Sequence, residues 1–318
     1  MAILTKAETA IFLMERDHFA IVTHRRPDGD TLGSAAVLCR GLRQLGKTAH
    51  ILQNPEITAK YAHLHQGLTK DVPGAQDTLI CVDVAAQNML PEQFASLADR
   101  ISLRIDHHGT ATSFTPWELV EPEAAACGEV IYDVLCRMGV KLDIPMANAL
   151  YTAVSTDTGC FRYANTTANS LRVAADCASV SNDLFQINQR LFDTNSLGRL
   201  RLQGWIVENA LFLCGGQIAI CALSRELEQR LGLTEDDMEN ISGFPRSIEG
   251  VKIAATLRES DEGAKLSVRA VPGFDAAAIC AKFGGGGHKG AAGASLKMPL
   301  QEAMEAVRAA MPQLGGAV

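Results

Sequence analysis

Residues 1–160 alternate short apolar runs with helix-like patterns, and this alternation restricts the fold more than any other feature. Residues 19–23, 78–82 and 101–105 are apolar runs of strand length. Residues 34–45 instead carry apolar side chains at helical spacing and end at Gly46. Strands that alternate with helices form βαβ units. The pattern therefore predicts an α/β fold with a parallel sheet in an N-terminal domain.

Acidic residues and histidines follow the predicted strands and one predicted helix. They are His24, Asp28, Asp30, Asp83, Asp106, His107, His108 and Asp157. In parallel sheets, ligands gather beyond the carboxyl ends of the strands. Several charged groups collected beside apolar runs are costly unless a cation pairs with them. We therefore expect a metal site there, although Asp30 is also a candidate helix cap and Asp106 a candidate strand-end hydrogen-bond acceptor.

The ligand types narrow the choice of metal. Carboxylates mixed with imidazoles suit Mn²⁺ or Mg²⁺ better than the thiolate-rich sites that hold structural zinc. Two such ions about 4 Å apart can activate a bridging water and polarise a phosphoryl oxygen. One carboxylate normally bridges the pair, and Asp83 is the candidate for that role.

A second domain is indicated by a change of pattern after Gly215-Gly216. Predicted strands at 218–222, 251–257 and 265–269 and predicted helices at 224–231 and 275–282 form a smaller α+β domain. The predicted boundaries are a catalytic domain at 1–194, a helical linker at 195–213 and a substrate-binding domain at 214–318.

A glycine-rich segment in this second domain is a candidate phosphate clamp. Gly284 to Gly287 free the backbone to approach an anion, and His288 and Lys289 add hydrogen-bond donors. The alternative is a glycine-rich helix end with close packing. The formal match to a dinucleotide fingerprint is accidental, because no strand is predicted before it. Arg269, with Ser267 two residues before it, and Arg258 lie on predicted strands. Arginine suits bidentate phosphate contact, although Arg258 is also a candidate solvated strand end.

Composition limits the partners. Hydrophobic residues make up 47% and charged residues 20%, which is typical of a soluble globular protein. The net charge of −7 argues against a broad grip on duplex DNA but not against a short anionic substrate. The nine cysteines form no CxxC pair. Together with the lack of a signal sequence or an apolar segment of membrane-spanning length, this predicts a cytoplasmic protein.

The motifs as a set resemble a known family. Asp106-His107-His108, the upstream His24-x3-Asp28-x-Asp30 and the downstream Thr156-Asp157-Thr158-Gly159 are similar to the DHH phosphoesterases, and the Gly-Gly-Gly-Gly-His segment to their DHH-associated C-terminal domain. Length and motif order most resemble the bacterial bifunctional oligoribonuclease/pAp phosphatases, or nanoRNases. Two departures affect substrate preference: Val84-Ala-Ala86 replaces a usual polar run that leads to an arginine, and the asparagine often found after the histidine pair is missing.

The resemblance implies a site between the two domains and assigns roles to its residues. His24, Asp28 and Asp83 would hold one ion, and Asp30, Asp83, His107 and Asp157 the other. His108 would face the scissile phosphate, and Asp106 would orient the histidines. The implied substrate contacts are Gly285, Gly286, Gly287, His288, Lys289, Ser267 and Arg269.

The resemblance also implies the reaction. We expect hydrolysis of short RNA oligonucleotides and linear dinucleotides to mononucleotides, of 3′-phosphoadenosine 5′-phosphate (pAp) to AMP, or of both. Two divalent ions are expected, with Mn²⁺ favoured and Mg²⁺ or Co²⁺ as alternatives. Cyclic-di-AMP phosphodiesterase, exopolyphosphatase or pyrophosphatase activity and a non-catalytic nucleotide-sensing module remain open. The substrate preference, the polarity of RNA degradation and a possible homodimer are not determined by the sequence.

Overall fold

A computed structural model describes residues 2–109 and 111–314 of the chain. The chain divides into two compact units, residues 1–194 and 195–318. Among the described residues, no helix combines the length and the apolar character that a membrane span needs.

The first unit contains a seven-stranded sheet in which every neighbouring pair of strands is parallel. Its order is β1-β7-β6-β5-β2-β3-β4. The strands are β1 (Ala2–Ile3), β2 (Phe19–Val22), β3 (Ala49–Leu52), β4 (Thr69–Lys70), β5 (Thr78–Val82), β6 (Ile101–Asp106) and β7 (Trp117–Val120). The predicted parallel α/β fold is thus confirmed. β3, β4, β7 and the two-residue β1 were not predicted.

Both faces of this sheet are covered, as the continuous apolar strands require. One face packs against helices, which are α1 (Lys6–Met14), α2 (Gly29–Gln44), α3 (Cys127–Arg137), α4 (Ile144–Asp157), α5 (Ala168–Val180) and α6 (Leu184–Asn188). The other face carries alternate strand residues such as Ala20 and Leu79, which pack on Phe94 and Ala98 of the 3₁₀ segment Glu92–Arg100.

Close contact between α2 and α4 depends on two glycines of α2. A Cβ atom at Gly29 would collide with the side chain of Thr156, and one at Gly33 would lie 2.9 Å from the Cβ of Ala153. Gly29 lies in the first turn of α2, where the lack of a side chain permits the approach of α4.

The second unit contains a mixed six-stranded sheet of order β12-β13-β11-β10-β9-β8. Its elements are α7 (Leu197–Asn209), β8 (Leu211–Leu213), β9 (Ile218–Leu223), α8 (Arg225–Leu231), α9 (Glu235–Met238), β10 (Ile253–Ser260), β11 (Gly263–Ala270), α10 (Ala276–Ala281), β12 (Gly286–Gly287), β13 (Ala291–Leu296) and α11 (Leu300–Leu314). A core that includes α10 and α11 covers one face, and a second cluster from α7 to α9 covers part of the other.

Residues 195–213, predicted as a helical linker, have a more specific role in the structure. Helix α7 ends at Asn209, and Leu211–Leu213 pairs with β9 as a strand. Leu202 and Ile206 of α7 are buried against residues of the second unit. The segment therefore belongs to the core of that unit.

Candidate metal centre

Three adjacent strands deliver polar side chains to one edge of the parallel sheet. β6, β5 and β2 are neighbours in the sheet. Asp106 is the last residue of β6, Asp83 directly follows β5, and His24 lies two residues beyond β2. Strand order reverses between β2 and β5, the position where α/β sheets form ligand sites. The edge is therefore where the fold favours a functional site.

Helices bring the other acids to the same place. Asp28 is the N-cap of α2 and accepts hydrogen bonds from the backbone N–H groups of Asp30 and Thr31. Asp30 lies in the first turn of α2, so the alternative interpretation of Asp30 as the helix cap is wrong. Asp157 is the last residue of α4, which packs on α2.

The six predicted metal ligands form two groups around Asp83. The Nε2 atom of His24 lies 3.6 Å from carboxylate oxygens of both Asp28 and Asp83. The Nε2 atom of His107 lies 3.5 Å from Asp83, 3.6 Å from Asp30 and 3.3 Å from Asp157. Because Oδ2 of Asp83 faces His24 and Oδ1 faces His107, this carboxylate joins the two groups.

These separations fit ligands that share an ion. Two ligand atoms, each about 2.1 Å from a divalent cation, lie roughly 3.0–3.5 Å apart. Oδ1 of Asp83 is buried and has no hydrogen-bond partner among the described residues. Asp83 also has a left-handed backbone, with φ of 60°, which is strained for a residue with a side chain. An orphaned, strained carboxylate within a set of oxygen and imidazole donors fits a pair of divalent ions.

Backbone carbonyl groups orient the two histidines. The Nδ1 atom of His24 lies 2.7 Å from the carbonyl oxygen of Arg25, and Nδ1 of His107 lies 3.1 Å from that of Ala124. Nδ1–H therefore donates in each ring, and Nε2 presents its lone pair to the acids. Metal-binding histidines are commonly fixed in this way.

Asp30 is held by the start of helix α3. The backbone N–H groups of Cys127 and Gly128 donate to its two carboxylate oxygens at 2.6 and 3.0 Å. The hydroxyl of Ser34 donates to Oδ1 at 3.0 Å. The sequence interpretation missed the contacts of Asp30 with Cys127 and Gly128, because these residues lie 97 and 98 positions further along the chain.

His108 differs from His107 in its partner. Its Nδ1–H donates to Oδ1 of Asp106 at 2.8 Å, and the same oxygen accepts the backbone N–H groups of both histidines. Asp83, His107 and His108 also lie close enough to form a ligand group. However, the atom of His108 that approaches Asp83 is Nδ1, which Asp106 already engages. His108 is about one-third exposed, and Asp106 engages its Nδ1 atom rather than its Nε2 atom.

The acids of the centre repel one another. Burial and the nearby charge of Asp30 raise the pKa of Asp83 well above its usual range. Burial and Asp30 raise the pKa of Asp157 in the same way. Burial also opposes ionisation of Asp28, but the hydrogen bond with His24 leaves its pKa below the ordinary value. Bound cations would relieve this repulsion.

The predicted substrate contacts of the second unit lie around strands β11 to β13. In β11, buried residues alternate with the outward-facing Lys265, Ser267 and Arg269. Ser267 pairs with Gly293, and Arg269 with Ala291, so small residues flank them on β13. His288 and Lys289 are exposed. This part of the second unit therefore presents a polar strip of hydroxyl, guanidinium and imidazole groups.

Two of the four glycines of the candidate clamp serve close packing. A side chain at Gly285 would collide with β13, and Gly287, with φ of 146°, would place a Cβ 2.7 Å from the carbonyl oxygen of Ala291. The backbone N–H groups of Gly284, Gly285 and His288 donate to carbonyl oxygens of the protein. These three backbone N–H groups are therefore already used within the protein.

Arg258 has partners other than substrate. Its guanidinium makes four hydrogen bonds of 2.7–3.0 Å to the carboxylates of Glu228 and Glu235. These bonds raise its pKa above the ordinary value. Arg258 thus joins β10 to α8 and α9. Because these carboxylates occupy its guanidinium, we do not propose Arg258 as a substrate contact.

The parallel sheet, the switch-point edge and the paired acid and histidine groups define a class: a metal-dependent phosphoesterase. The model of the DHH family N-terminal domain matches residues 18–154, and that of the DHHA1 domain matches residues 215–314. A bifunctional oligoribonuclease and PAP phosphatase NrnA of Thermus thermophilus is 33% identical over 305 residues, which cover 93% of this chain and 90% of that protein. The chain belongs to the DHH family of phosphoesterases.

Two further comparisons also find similarity over most of the chain. The Bacillus subtilis protein of the same name is 24% identical over 283 residues, covering 87% of this chain and 89% of that one. The crystal structure of an exopolyphosphatase-related protein from Bacteroides fragilis has a TM-score of 0.86 and 25% identity, and covers 97% of this chain and 96% of its own. Similarity over both units establishes the two-domain DHH fold and the hydrolase class.

Proposed function

We propose that this phosphoesterase hydrolyses short RNA oligonucleotides and linear dinucleotides to mononucleotides, pAp to AMP, or both, with Mn²⁺ as the metal. The observation that carries the proposal is the position of Asp83: one carboxylate oxygen faces His24, and the other faces His107. The names of the Thermus and Bacillus relatives support the substrate class. The mixture of carboxylates and imidazoles supports Mn²⁺, with Mg²⁺ or Co²⁺ as alternatives.

Each group of ligands has an assigned role. His24, Asp28 and Asp83 would hold one ion, and Asp30, Asp83, His107 and Asp157 the other. The bound ions would supply an activated water nucleophile and charge stabilisation at the phosphate. The carbonyl groups of Arg25 and Ala124 keep the imidazoles aimed at the centre. Two sets of ligands that share Asp83 are the expected arrangement for hydrolysis of a phosphoester.

His108 is the proposed catalytic acid. Asp106 accepts a hydrogen bond from Nδ1–H of His108 and favours the protonated ring. This hydrogen bond raises the pKa of His108 even though burial opposes the charge. In this state Nε2–H can donate to the scissile phosphate or to the leaving oxygen. Asp106 acts by orienting His108.

The second unit supplies the proposed substrate contacts. Ser267 and Arg269 of β11 would bind phosphate groups, together with His288 and Lys289 beyond β12. Gly285 and Gly287 keep this segment close to β13, whereas Gly286 has open space around it, where a ligand could approach the backbone. We propose that residues 1–194 carry out the chemistry and that the second unit selects the substrate.

The first test is product analysis of purified protein with Mn²⁺ on four substrates: a 5′-labelled RNA trimer, the dinucleotide pApA, pAp and pyrophosphate. Release of mononucleotides from the oligomers, with or without AMP from pAp, is the expected result. Cleavage of pyrophosphate alone would contradict the proposed substrate class. A cyclic-di-AMP lane would reveal that alternative activity.

The same assay tests the metal centre. Asp83→Asn preserves the shape of the side chain but removes the shared ligand charge, so activity should fall by two or more orders of magnitude, beyond the roughly 10–100-fold effect of supporting residues. Asp77→Asn is the matched control, because Asp77 is largely buried beside His50 and is not part of the ligand groups. Full activity of the Asp83 variant would contradict the assignment.

A further inference from the structure

A buried arginine lies beside the metal centre without a role in the chemistry described above. Arg104 occupies the middle of β6, and its side chain is 1% exposed. It is the largest of the fully buried side chains among the described residues. Charged residues are almost never buried this deeply without specific partners. The contacts of its guanidinium group therefore indicate what it does.

Arg104 contacts the backbone that follows two functional residues. Its Nη1–H groups donate to the carbonyl oxygens of Ala85 at 3.1 Å and Val84 at 3.4 Å, just after Asp83. They also donate to the carbonyl oxygen of Thr112 at 3.4 Å, in the loop that follows His108. The side chain of Arg104 therefore connects the segment after Asp83 with the loop after His108.

Glu118 of β7 holds the arginine from the other side. Its Oε2 atom accepts a hydrogen bond of 2.8 Å from Nη2 of Arg104. Glu118 also accepts hydrogen bonds from Ser113, Phe114 and Thr115. The pair therefore fixes the loop between β6 and β7 as well as the guanidinium.

Arg104 also lies close to Asp106. Nη1 lies 3.5 Å from Oδ2 of Asp106. This oxygen is buried and has no hydrogen-bond partner among the described residues, whereas Oδ1 accepts three hydrogen bonds, two of them from His108. Arg104 therefore lies against one carboxylate oxygen of Asp106, while the other oxygen engages His108.

We propose that Arg104, anchored by Glu118, is a positioning residue that holds Asp106 so that His108 directs Nε2 to the scissile phosphoester. The proposal rests on the function of His108 proposed above. Arg104 itself contacts neither the substrate nor the predicted metal ligands through its hydrogen bonds. Its removal should therefore affect the rate of the chemical step more than the binding of substrate or metal.

The test compares Arg104→Met with wild-type enzyme on two substrates. For an RNA dinucleotide, whose leaving group is a poor alkoxide, kcat should fall on the order of 10–100-fold with KM unchanged. For a nucleotide p-nitrophenyl ester, whose leaving group needs no proton, the loss should be much smaller. Arg43→Met is the matched control, since Arg43 also donates to backbone carbonyl groups in the first unit, those of Ala49 and Gly67. It should leave kcat unchanged for both substrates.

A double-mutant cycle connects the effect to His108. His108→Asn should show the same dependence on the leaving group, and Arg104→Met should add little loss to it. Losses that multiply, or a loss in Arg104→Met whose dependence on the leaving group differs from that in His108→Asn, would overturn the positioning role while leaving the function of His108 intact. Full activity of His108→Asn would overturn both.

A second variant separates positioning from folding. Arg104→Met leaves Glu118 as an unpaired buried carboxylate and risks unfolding. Arg104→Met combined with Glu118→Gln removes both charges and keeps similar volumes. This double variant should fold and bind Mn²⁺ like wild type, as judged by thermal unfolding and by calorimetric titration, and should retain the loss of kcat. Recovery of wild-type kcat in the double variant would overturn the proposal.

Discussion

Asp83 shows how far the sequence determines a single residue. Its place directly after an apolar run predicted a strand-end carboxylate at the sheet edge, and the structure brings it between His24 and His107. The left-handed backbone at Asp83 was not predictable, because it is imposed by the surrounding structure rather than favoured by aspartate. Arg104 was also missed, although a charged residue inside an apolar run was a signal that could have revealed it.

The buried histidine His65 should make the folding stability of the first unit depend on pH. Its Nε2 atom lies 3.0 Å from the carbonyl oxygen of Leu32, and its Nδ1 atom is buried without a hydrogen-bond partner among the described residues. Burial lowers the pKa of His65 to about 4 from 6.5. Because the folded-state pKa is below the unfolded one, the contribution to stability is complete above pH 6.5 and is lost as the pH falls towards 4.

The expected loss from His65 is about 3 kcal/mol of the free energy of unfolding across this range. His65→Gln should reduce the difference in stability between pH 7 and pH 4 by that amount, whereas His18→Gln, which changes an exposed histidine, should keep the wild-type difference. Denaturant unfolding of the three proteins at both pH values, in the presence of a chelator, measures the effect. An unchanged difference in the His65 variant would show that this histidine is not protonated on unfolding.

At the scale of elements, periodicity predicted the long helices and the central strands well. Residues 78–82 and 101–105, predicted as strands, match β5 and β6 to within one residue. The sequence failed where long-range pairing decides the structure: Leu211–Leu213 was assigned to a helix but pairs with β9, and the two-residue β12 pairs with β13. Such short strands have little pattern of their own, since a neighbouring strand defines them.

The packing of α2 against α4 should be more sensitive to an added side chain than the helical conformation of either element. Gly33→Ala would force the new Cβ to within 3 Å of Ala153, so we expect destabilisation of about 1–3 kcal/mol despite the better helix propensity of alanine. Because α2 carries Asp28 and Asp30 and α4 ends at Asp157, affinity for Mn²⁺ should fall as well.

Gly204→Ala in α7 is the matched control for this change. Gly204 is a helical glycine with nothing within 4 Å of the position of a new Cβ, so the substitution should stabilise the protein by about 0.5–1 kcal/mol. Urea unfolding and calorimetric titration with Mn²⁺ would compare the two variants. Equal stabilisation by both would mean that α2 and α4 are not as closely packed as the structure indicates.

At the scale of the whole molecule, the sequence indicated two domains because the pattern of elements changes after Gly215-Gly216. The structure divides the chain between Thr194 and Asn195. In the described part of the chain, each buried apolar cluster lies within one unit. The proposed metal ligands all belong to residues 1–194. Metal binding should therefore stabilise the first unit and leave the second unit largely unaffected.

The two tryptophans make this prediction measurable, because Trp117 lies in the first unit and Trp205 in the second. Trp205→Phe leaves fluorescence that reports only the first unit, and Trp117→Phe leaves fluorescence that reports only the second. Free Mn²⁺ at 100 times its dissociation constant should add about 2.7 kcal/mol to the first unit. For a domain of this size that corresponds to a rise of roughly 5–10 °C in its Tm.

The Tm reported by Trp205 should not change, and Asp83→Asn should abolish the shift reported by Trp117. A shared shift of both reporters would mean that the units unfold together, and no shift of either would contradict the metal centre.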